Sequence, residues 1–586
     1  MRLIQMSVRN FRSIKGEQTD ISFSDSDIIF LFGQNNTGKS SILDAYEFLV
    51  KPKAVLLQTD FHGFEVREPV EIEAAFQKDP GDNADFEKKG LNKWVDDRGV
   101  IRFRKRWTEA GAQGKKETWD PMKKEFVDNG FGGLESHFKS HAPQPIRIPA
   151  MPAPDELSKW ASSTVKNLVL KQLRTVEEKA YNEVLEKVAD LQERVMSNES
   201  IAALSDHANL QFQRVFPDLT MAICPAAGSE VDISKAIEKE FSVTISDPRF
   251  RGVNQGFSHH GHGVIRQAMF NFLGIVGSII DGRLSPEAFH GKSDRKTYLI
   301  LFEEPEVYLH PKAIKLLRSA LYELCDDSPF QILCTSHSPA LIDISKPHTS
   351  LVRVVRRADG TTAFHQVGHD LFASSEERKK QVQMINRFNP HVCESFFADE
   401  VIAVEGDTEA IVFRELLERR APKKDIFVLN SGTKNNLPFF QEIFTHFRIK
   451  HHVVHDSDTR YCYSREGDVL KNSDGTPKKN PAWALNKKVW LHVSEANALE
   501  PDLANRHLFI RNFEDAHNYE HDTTKGKPLS AFEFVETLAC DGSGATDVEQ
   551  IVEHILGNAA KPIDWTPEDI EEAVREPLDG APAQPR

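Results

Sequence analysis

The stretch Gly33-Gln34-Asn35-Asn36-Thr37-Gly38-Lys39-Ser40 decides the fold. It fits G-x-x-x-x-G-K-[ST], a glycine loop whose backbone N–H groups cradle phosphates. Its flanks agree. Before it, Asp27-Ile28-Ile29-Phe30-Leu31-Phe32 is a short apolar run that reads as a buried strand. After it, Ser41-Ile42-Leu43-Asp44-Ala45-Tyr46-Glu47-Phe48-Leu49 places apolar residues at helical spacing. Strand, loop and helix together aim N–H groups and a helix N-terminus at phosphates. In this motif Lys39 reaches the β- and γ-phosphates and Ser40 the Mg2+. The expected ligand is ATP or GTP, held by Gly33, Asn36, Gly38, Lys39, Ser40 and Ser41. A chance glycine loop is disfavoured because the motif stands between a strand and a helix.

The chain of 586 residues is long enough for three or four domains. No apolar run approaches the ~20 residues of a membrane span, and the N-terminus has no signal-like apolar region. The six cysteines, at 224, 325, 334, 393, 462 and 540, lack metal-type pairing and read as thiols of a reducing cytoplasm. A net charge of −15 excludes indiscriminate polyanion coating, so any nucleic-acid contact must be local. One local basic patch exists. Between Ile101 and Lys124 eight basic residues stand against three acidic ones, on a pattern that predicts a hairpin. A solvated hairpin face is the simpler reading of it, and a nucleic-acid surface the sharper one.

Working outward, Leu3–Val8 and Val70–Phe76 read as strands, the second pairing with the basic hairpin in a side sheet. A proline-rich stretch from Pro143 to Pro154 marks a boundary, and residues 156–215 read as a helical insertion. Strand patterns return at Val231–Ile233 and Phe241–Ile245, and a buried helix is expected over Val264–Ile280. The strand Tyr298–Phe302 ends in Glu303-Glu304-Pro305-Glu306, and Phe330–Thr335 ends in Ser336-His337. A strand ending in two acids supplies a Mg2+ shell (Glu303) and a water-polarising group (Glu304).

That order resembles the ABC-type ATPases of the SMC, RecF and Rad-fifty-like group. Asn10-Phe11-Arg12-Ser13 and Glu304–Pro311 extend the resemblance. It implies a signature loop over Ser258–Gly263, with Ser258 and Gly261 facing a partner's nucleotide, and His337 as the switch histidine. It also implies at least a dimer. Two departures stand out: Glu303 replaces the usual aspartate, and His259, His260 and His262 crowd the signature loop. A three-histidine metal cluster there lacks a fourth ligand and is the weaker reading.

A second site lies downstream. Val401-Ile402-Ala403-Val404-Glu405-Gly406-Asp407-Thr408-Glu409 sets one carboxylate at a strand end and another in the first helical turn. Strand Val453-Val454-His455 runs into Asp456-Ser457-Asp458, whose aspartates project to one side of an extended chain. Either pair alone reads as a solvated acidic loop. Together they repel unless cations neutralise them, which suits two Mg2+ or Mn2+ ions of a phosphoryl-transfer site. The combination, with Asn430-Ser431-Gly432-Thr433 between strands, resembles the Toprim domain. The polar stretch Tyr461–Lys479 is expected as a loop.

An ABC-type ATPase followed by Toprim resembles the OLD (overcoming lysogenisation defect) nucleases, class 2, which include the nuclease subunit of Gabija-type phage defence. The resemblance implies an α/β fold and an ATP-regulated, two-metal DNA endonuclease. It implies dimerisation through the helical insertion, and a helicase partner in some systems. By it, Glu405, Glu409, Asp456 and Asp458 are metal carboxylates. Glu514 (with Asp515 beside it) is the later acidic element, and Lys527 (with Lys525 beside it) sits near the scissile phosphate. The expected division is 1–155 and 216–385 for the ATPase, 156–215 for the insertion, 386–575 for Toprim and 576–586 for a disordered tail. The competing reading is an ATP-switched DNA-binding or scaffold protein of the SMC/RecF type with an inert Toprim domain. Membrane association is not expected.

Overall fold

Strand Ile28–Phe32 is buried along its whole length because parallel strands flank it on both sides. In the computed structural model these neighbours are Phe330–Ser336 and Thr349–Arg356. Tyr298–Glu303 and Gln144–Ile148 continue the parallel sheet, and Thr362–Val367 closes the other edge antiparallel. An apolar run without alternation is what a strand covered on both faces requires. The structure describes residues 1–128, 141–150, 199–225, 241–246, parts of 256–274, 297–343, 349–367, 391–538 and 546–574, with gaps of one to three positions. Most of the expected helical insertion, the strand Val231–Ile233, Ser258 and the C-terminal tail lie outside the described residues.

The chain divides into two units, Met1–Lys379 and Lys380–Arg586. In the first, a six-stranded antiparallel side sheet packs over the phosphate-loop sheet. It contains Arg2–Arg9, Val70–Gln77 and Val100–Trp107 as neighbours. Helix Lys39–Val50 lies in the shared core, where Ile42, Tyr46 and Leu49 meet Met6 and Ile72 from one sheet and Leu31 and Leu333 from the other. Gln331 explains its own place inside a buried strand. Its side chain accepts from Leu3 N and donates to Leu3 O, both at 2.8 Å, so a polar residue is satisfied where the sheets meet.

The basic hairpin forms, and three of its eight cations have partners within the fold. Arg104 pairs with Glu117 and Glu71, and Arg106 with Glu71 across the ladder. Lys105 is buried, and its ammonium donates to Phe48 O and Lys51 O at the end of helix Lys39–Val50. Cations at a helix C-terminus offset exposed carbonyls and the dipole. The solvated, ion-paired reading is therefore the better one for this patch.

In the second unit four parallel strands stand in the order Ile426–Asn430, Glu400–Val404, Lys450–Asp456, Ala504–Phe509. Helices Asp407–Arg420 and Lys527–Thr537 share a core on one face with Ile402, Val404 and Val454. Loops after the C-terminal ends of such strands are where an open α/β sheet builds its sites. The stretch expected as a loop is more ordered than that. Antiparallel bridges join Tyr461 to Lys479, Tyr463 to Val469 and Lys471 to Pro477. Their alternation is too short and too polar to mark a strand in the sequence.

Candidate active sites

The glycine loop has the shape its sequence requires. A Cβ on Gly33 would stand 2.1 Å from Val354 O, and one on Gly38 2.7 Å from Ser13 Oγ. Gly38 also has φ +98°, a conformation that side chains disfavour. Lys39 donates to Gly33 O (3.0 Å) and Gln34 O (2.6 Å), folding its ammonium onto its own loop. Burial lowers Lys39 to about 8, opposed by Glu304 and Glu306. Those acids and His337 thus share the field of the loop lysine. The cradle of N–H groups, the cation and the acids suit a Mg2+-nucleotide.

The acidic strand end is held from two sides. Glu304 adopts φ +40° and its N–H donates to Thr335 O at 2.9 Å. Its carboxylate lies 3.6 Å from His337 Nε2. Burial, and then Lys39, lowers the His337 pKa, with Glu304 opposing. Glu306, quoted only as part of the motif, turns out to be the anchor of that histidine. Its Oε1 accepts from His337 N (2.7 Å) and Ser336 Oγ (3.0 Å).

Glu303 has a partner the sequence did not disclose. Arg147 Nη2 lies 2.8 Å from Glu303 Oε1 and 3.1 Å from Asp44 Oδ1, and Asp44 in turn takes Arg12 at 2.6 Å. A chain of charges therefore joins the Asn10–Ser13 element to the acidic strand end. Arg147 sits in a short proline-flanked strand, which gave no signal of a role. Of the signature loop, Gly261 has open space around its Cα, and Ser258 lies outside the described residues. The histidines disperse: His260 Nε2 meets Ile245 O at 3.2 Å and His262 packs on Tyr308.

In the second unit, Glu405 follows the end of strand Glu400–Val404 and accepts from Asp456 N at 3.0 Å. The next strand carries Asp456 at its last position, and hydrogen bonds to the end of strand Ala504–Phe509 fix the turn beyond it. Ser457 N donates to Phe509 O (2.8 Å), Asp458 N to Arg511 O (2.9 Å) and Arg511 N to Ser457 Oγ (2.7 Å). Asp458 takes φ +59° in that turn.

The acids feel one another. Burial first, then Glu405, Glu409, Asp458 and Glu514, pushes Asp456 up to about 9. Burial, with Asp458 adding and Lys434 opposing, pushes Glu405 up to about 7. Glu409 is raised by burial and then by Glu514, with Lys527 opposing. Thus Glu514 and Lys527 belong to the same electrostatic neighbourhood as the two acid pairs. Their sequence neighbours do not: Asp515 is tied to Asn512 at a helix N-cap, and exposed Lys525 pairs with Glu533 at 2.9 Å. Asp456 Oδ1 is buried without a hydrogen-bond partner. A buried acceptor beside four other hard oxygen donors fits a divalent cation of the Mg2+ or Mn2+ type.

As placed, however, no group of three or more His, Cys, Asp or Glu among the described residues converges tightly enough to hold one ion. Burial raises these carboxylates first and their mutual repulsion adds to it. A lysine intervenes instead. Lys434 Nζ donates to Asp458 Oδ2 at 2.6 Å and to Asp456 O. Nothing in the sequence around Asn430–Lys434 had marked it beyond a turn.

Comparison with known proteins agrees with this two-part layout. Residues 396–458 match the family described as "Overcoming lysogenization defect protein-like, TOPRIM domain", and residues 1–97 and 153–342 match "AAA ATPase domain". The Old nuclease of Escherichia phage P2 is 23% identical over 479 residues, spanning 78% of this chain and 77% of that protein. An endonuclease GajA of Bacillus cereus (strain VD045) is 22% identical over 444 residues, spanning 74% of this chain and 70% of its own length. The OLD nuclease of Thermus scotoductus is 27% identical over 190 residues, 32% of this chain and 35% of that one. Among solved structures, an SmcHead bound to the C-winged helix domain of ScpA aligns with TM-score 0.42 and 12% identity, over 63% of this chain and 98% of that chain. The chain thus carries an AAA ATPase segment followed by an OLD-like Toprim domain, and over most of its length it is similar to proteins named Old nuclease and endonuclease GajA.

Proposed function

We infer that this protein is a divalent-metal-dependent DNA endonuclease regulated by ATP, acting in phage defence. The observation that carries the reading is the gathering of Glu405, Glu409, Asp456, Asp458 and Glu514 into one electrostatic neighbourhood at the C-terminal edge of the Toprim sheet. The names of its relatives, Old nuclease, OLD nuclease and endonuclease GajA, support the same activity.

Two Mg2+ or Mn2+ ions held by these five acids would supply Lewis acidity to the attacking water and to the leaving 3′ oxygen. The chain's own residues do the rest. Main-chain hydrogen bonds to the end of strand Ala504–Phe509 and beyond fix the backbone that carries Asp456 and Asp458. Lys527, close to Glu409, is the cation that offsets charge on the phosphate. In the ATPase unit Lys39 neutralises nucleotide phosphate, Glu303 and Ser40 serve the Mg2+ shell, and Glu304 with His337 faces the γ-phosphate side. Dimerisation and a helicase partner belong to the proposal through family resemblance.

The test is plasmid nicking or cutting by the full chain with Mg2+ or Mn2+, with and without ATP. Wild type is expected to cleave and Glu405→Ala to fall to background. Equal cleavage by both would reject this site, and ATP-dependent DNA binding without cleavage in any metal would establish the scaffold reading instead.

A further inference from the structure

Lys434 opens the short turn Lys434–Asn436 that comes after strand Ile426–Asn430, and its side chain is only 4% exposed. Lysine is rarely buried without a specific partner, because an ammonium taken from water must be repaid by close anions. Here the partners are Asp458 Oδ2 at 2.6 Å and the main-chain oxygen of Asp456.

The turn that carries the lysine is anchored firmly. Ser431 donates to Val404 O through its N–H (2.9 Å) and its hydroxyl (2.7 Å), and Asn436 Nδ2 donates to Ser431 O at 2.8 Å. Val404 is the residue before Glu405, so one strand end positions both the lysine and the first acid. The ammonium is also close enough to act on Glu405. Lys434 therefore stands among the carboxylates by construction, stapled from the strand that presents Glu405 and touching both aspartates of Asp456-Ser457-Asp458.

We propose that Lys434 is a tethered cation of the carboxylate site: it holds Asp458 and the chain at Asp456 in place before a divalent ion binds, and it competes with the ion that takes Asp458. This rests on the metal-dependent reading of the site and adds a positioning residue to it. An oxygen bound to an ammonium at 2.6 Å cannot give the same lone pair to a metal, so the ion must displace the lysine or share the carboxylate. The lysine's positive charge also opposes a second cation nearby. The expected consequence is one stronger and one weaker divalent position, the weaker one governed by Lys434. The charge further relieves repulsion among these acids before an ion binds, so its removal makes the unit depend on metal for stability.

The test compares the full-length wild type with Lys434→Met, which keeps length without charge, and Lys434→Gln, which keeps a donor for Asp456 O. Mn2+ binding is measured by titration calorimetry and thermal unfolding is followed in EDTA and in Mn2+. Both variants are expected to bind the weaker Mn2+ at least about tenfold tighter than wild type, since a unit charge at contact distance is worth more than that even when well screened. Both are also expected to melt lower in EDTA and to gain more from Mn2+. Equal or weaker Mn2+ binding in folded variants would overturn the competition. Loss of fold in both that Mn2+ does not restore would assign Lys434 to the core and also overturn it. Absence of Mn2+ binding by the wild type would defeat the metal-dependent reading itself.

Discussion

Arg147 Nη2 stands 2.8 Å from Glu303 Oε1, so the first acid of the acidic strand end is already ion-paired within its own sheet. The same guanidinium reaches Asp44 at 3.1 Å and lies 3.8 Å from Glu47, and these side chains are largely buried. Burial raises the Glu47 pKa, with Arg147 opposing and Asp44 and Glu303 adding. Arg147 is thus the cation that lets three acids share one place. Glutamate, the departure from the usual aspartate, brings its carboxylate at Glu303 to within 2.8 Å of this arginine. Arg147→Met should cost about 2 kcal/mol of stability, less than a fully buried pair because water still reaches the cluster. Urea denaturation with and without Mg2+ checks this, with Mg2+ expected to recover part of the loss. A variant as stable as wild type would show the pair to be incidental.

Lys39 folds onto Gly33 O and Gln34 O, in the unit that holds none of the Toprim carboxylates. Lys39→Ala should therefore abolish ATP hydrolysis and the response of cleavage to ATP while leaving some metal-dependent cleavage. Phosphate release and plasmid cutting by one preparation measure both. Loss of all cleavage in a folded dimer would place ATP hydrolysis inside the cutting cycle rather than above it.

Much of this was legible in the chain because the signals are local. The glycine loop needs two residues without Cβ atoms, at Gly33 and Gly38, and no other side chain fits there. Buried strands announce themselves as unbroken apolar runs, and Glu405 and Asp456 are visible as acids that end them. Arg147, Glu306 and Lys434 were not legible as functional groups. Each is defined by a partner distant in sequence: Arg147 by Glu303, Glu306 by His337, Lys434 by Asp458. A charged residue beside a turn or a proline looks the same whether it faces solvent or a buried acid. The basic hairpin shows the converse. Its run of cations left a nucleic-acid surface open beside the simpler solvated face, and Glu71 and Glu117 lie across the ladder from Arg104 and Arg106.

The two late lysines separate by partner. Lys525 is exposed and spends its charge on both oxygens of Glu533 at 2.9 Å. Lys527 begins helix Lys527–Thr537 and acts on Glu409. Lys527→Ala should reduce the cleavage rate by roughly a hundredfold, the scale of losing one preorganised stabilising group. Lys525→Ala should stay within about twofold of wild type, since exposed pairs contribute little. Single-turnover cleavage at saturating Mg2+ discriminates them, and the reverse order would move the assignment to Lys525.

Three buried histidines should make the Toprim unit lose stability toward acid, against the opposite trend set by the raised carboxylates. His451, His452 and His507 are buried, and burial lowers all three, His451 to about 4. Their hydrogen bonds fit neutral rings: His507 Nε2 pairs with His452 Nδ1 at 3.2 Å, and His452 Nε2 donates to Glu400 Oε1 at 2.8 Å. The sign comes from linkage. A histidine whose folded pKa lies below 6.5 takes its proton more readily when unfolded. The stability it contributes is complete above 6.5 and is lost as pH falls toward its folded value. Each such group changes stability by at most about 1.4 kcal/mol per pH unit, while the raised Asp456, Glu405 and Glu409 give a slope of the opposite sign in metal-free protein. Glu400, whose pKa is lowered although burial opposes it, through His452 and Lys450, adds a loss of the same sign at lower pH. Urea midpoints between pH 7.5 and 5 measure the net slope, and its change in a histidine variant measures that ring's share. His451→Phe isolates one share of it. That ring packs 5.6 Å from Phe444 and loses only a bond to Ile449 O at 2.8 Å, so the variant should fold and lose less stability toward acid than wild type, by up to about 1.4 kcal/mol per pH unit below pH 6.5. An unchanged slope in His451→Phe would mean that the acid sensitivity is carried by groups other than these buried rings.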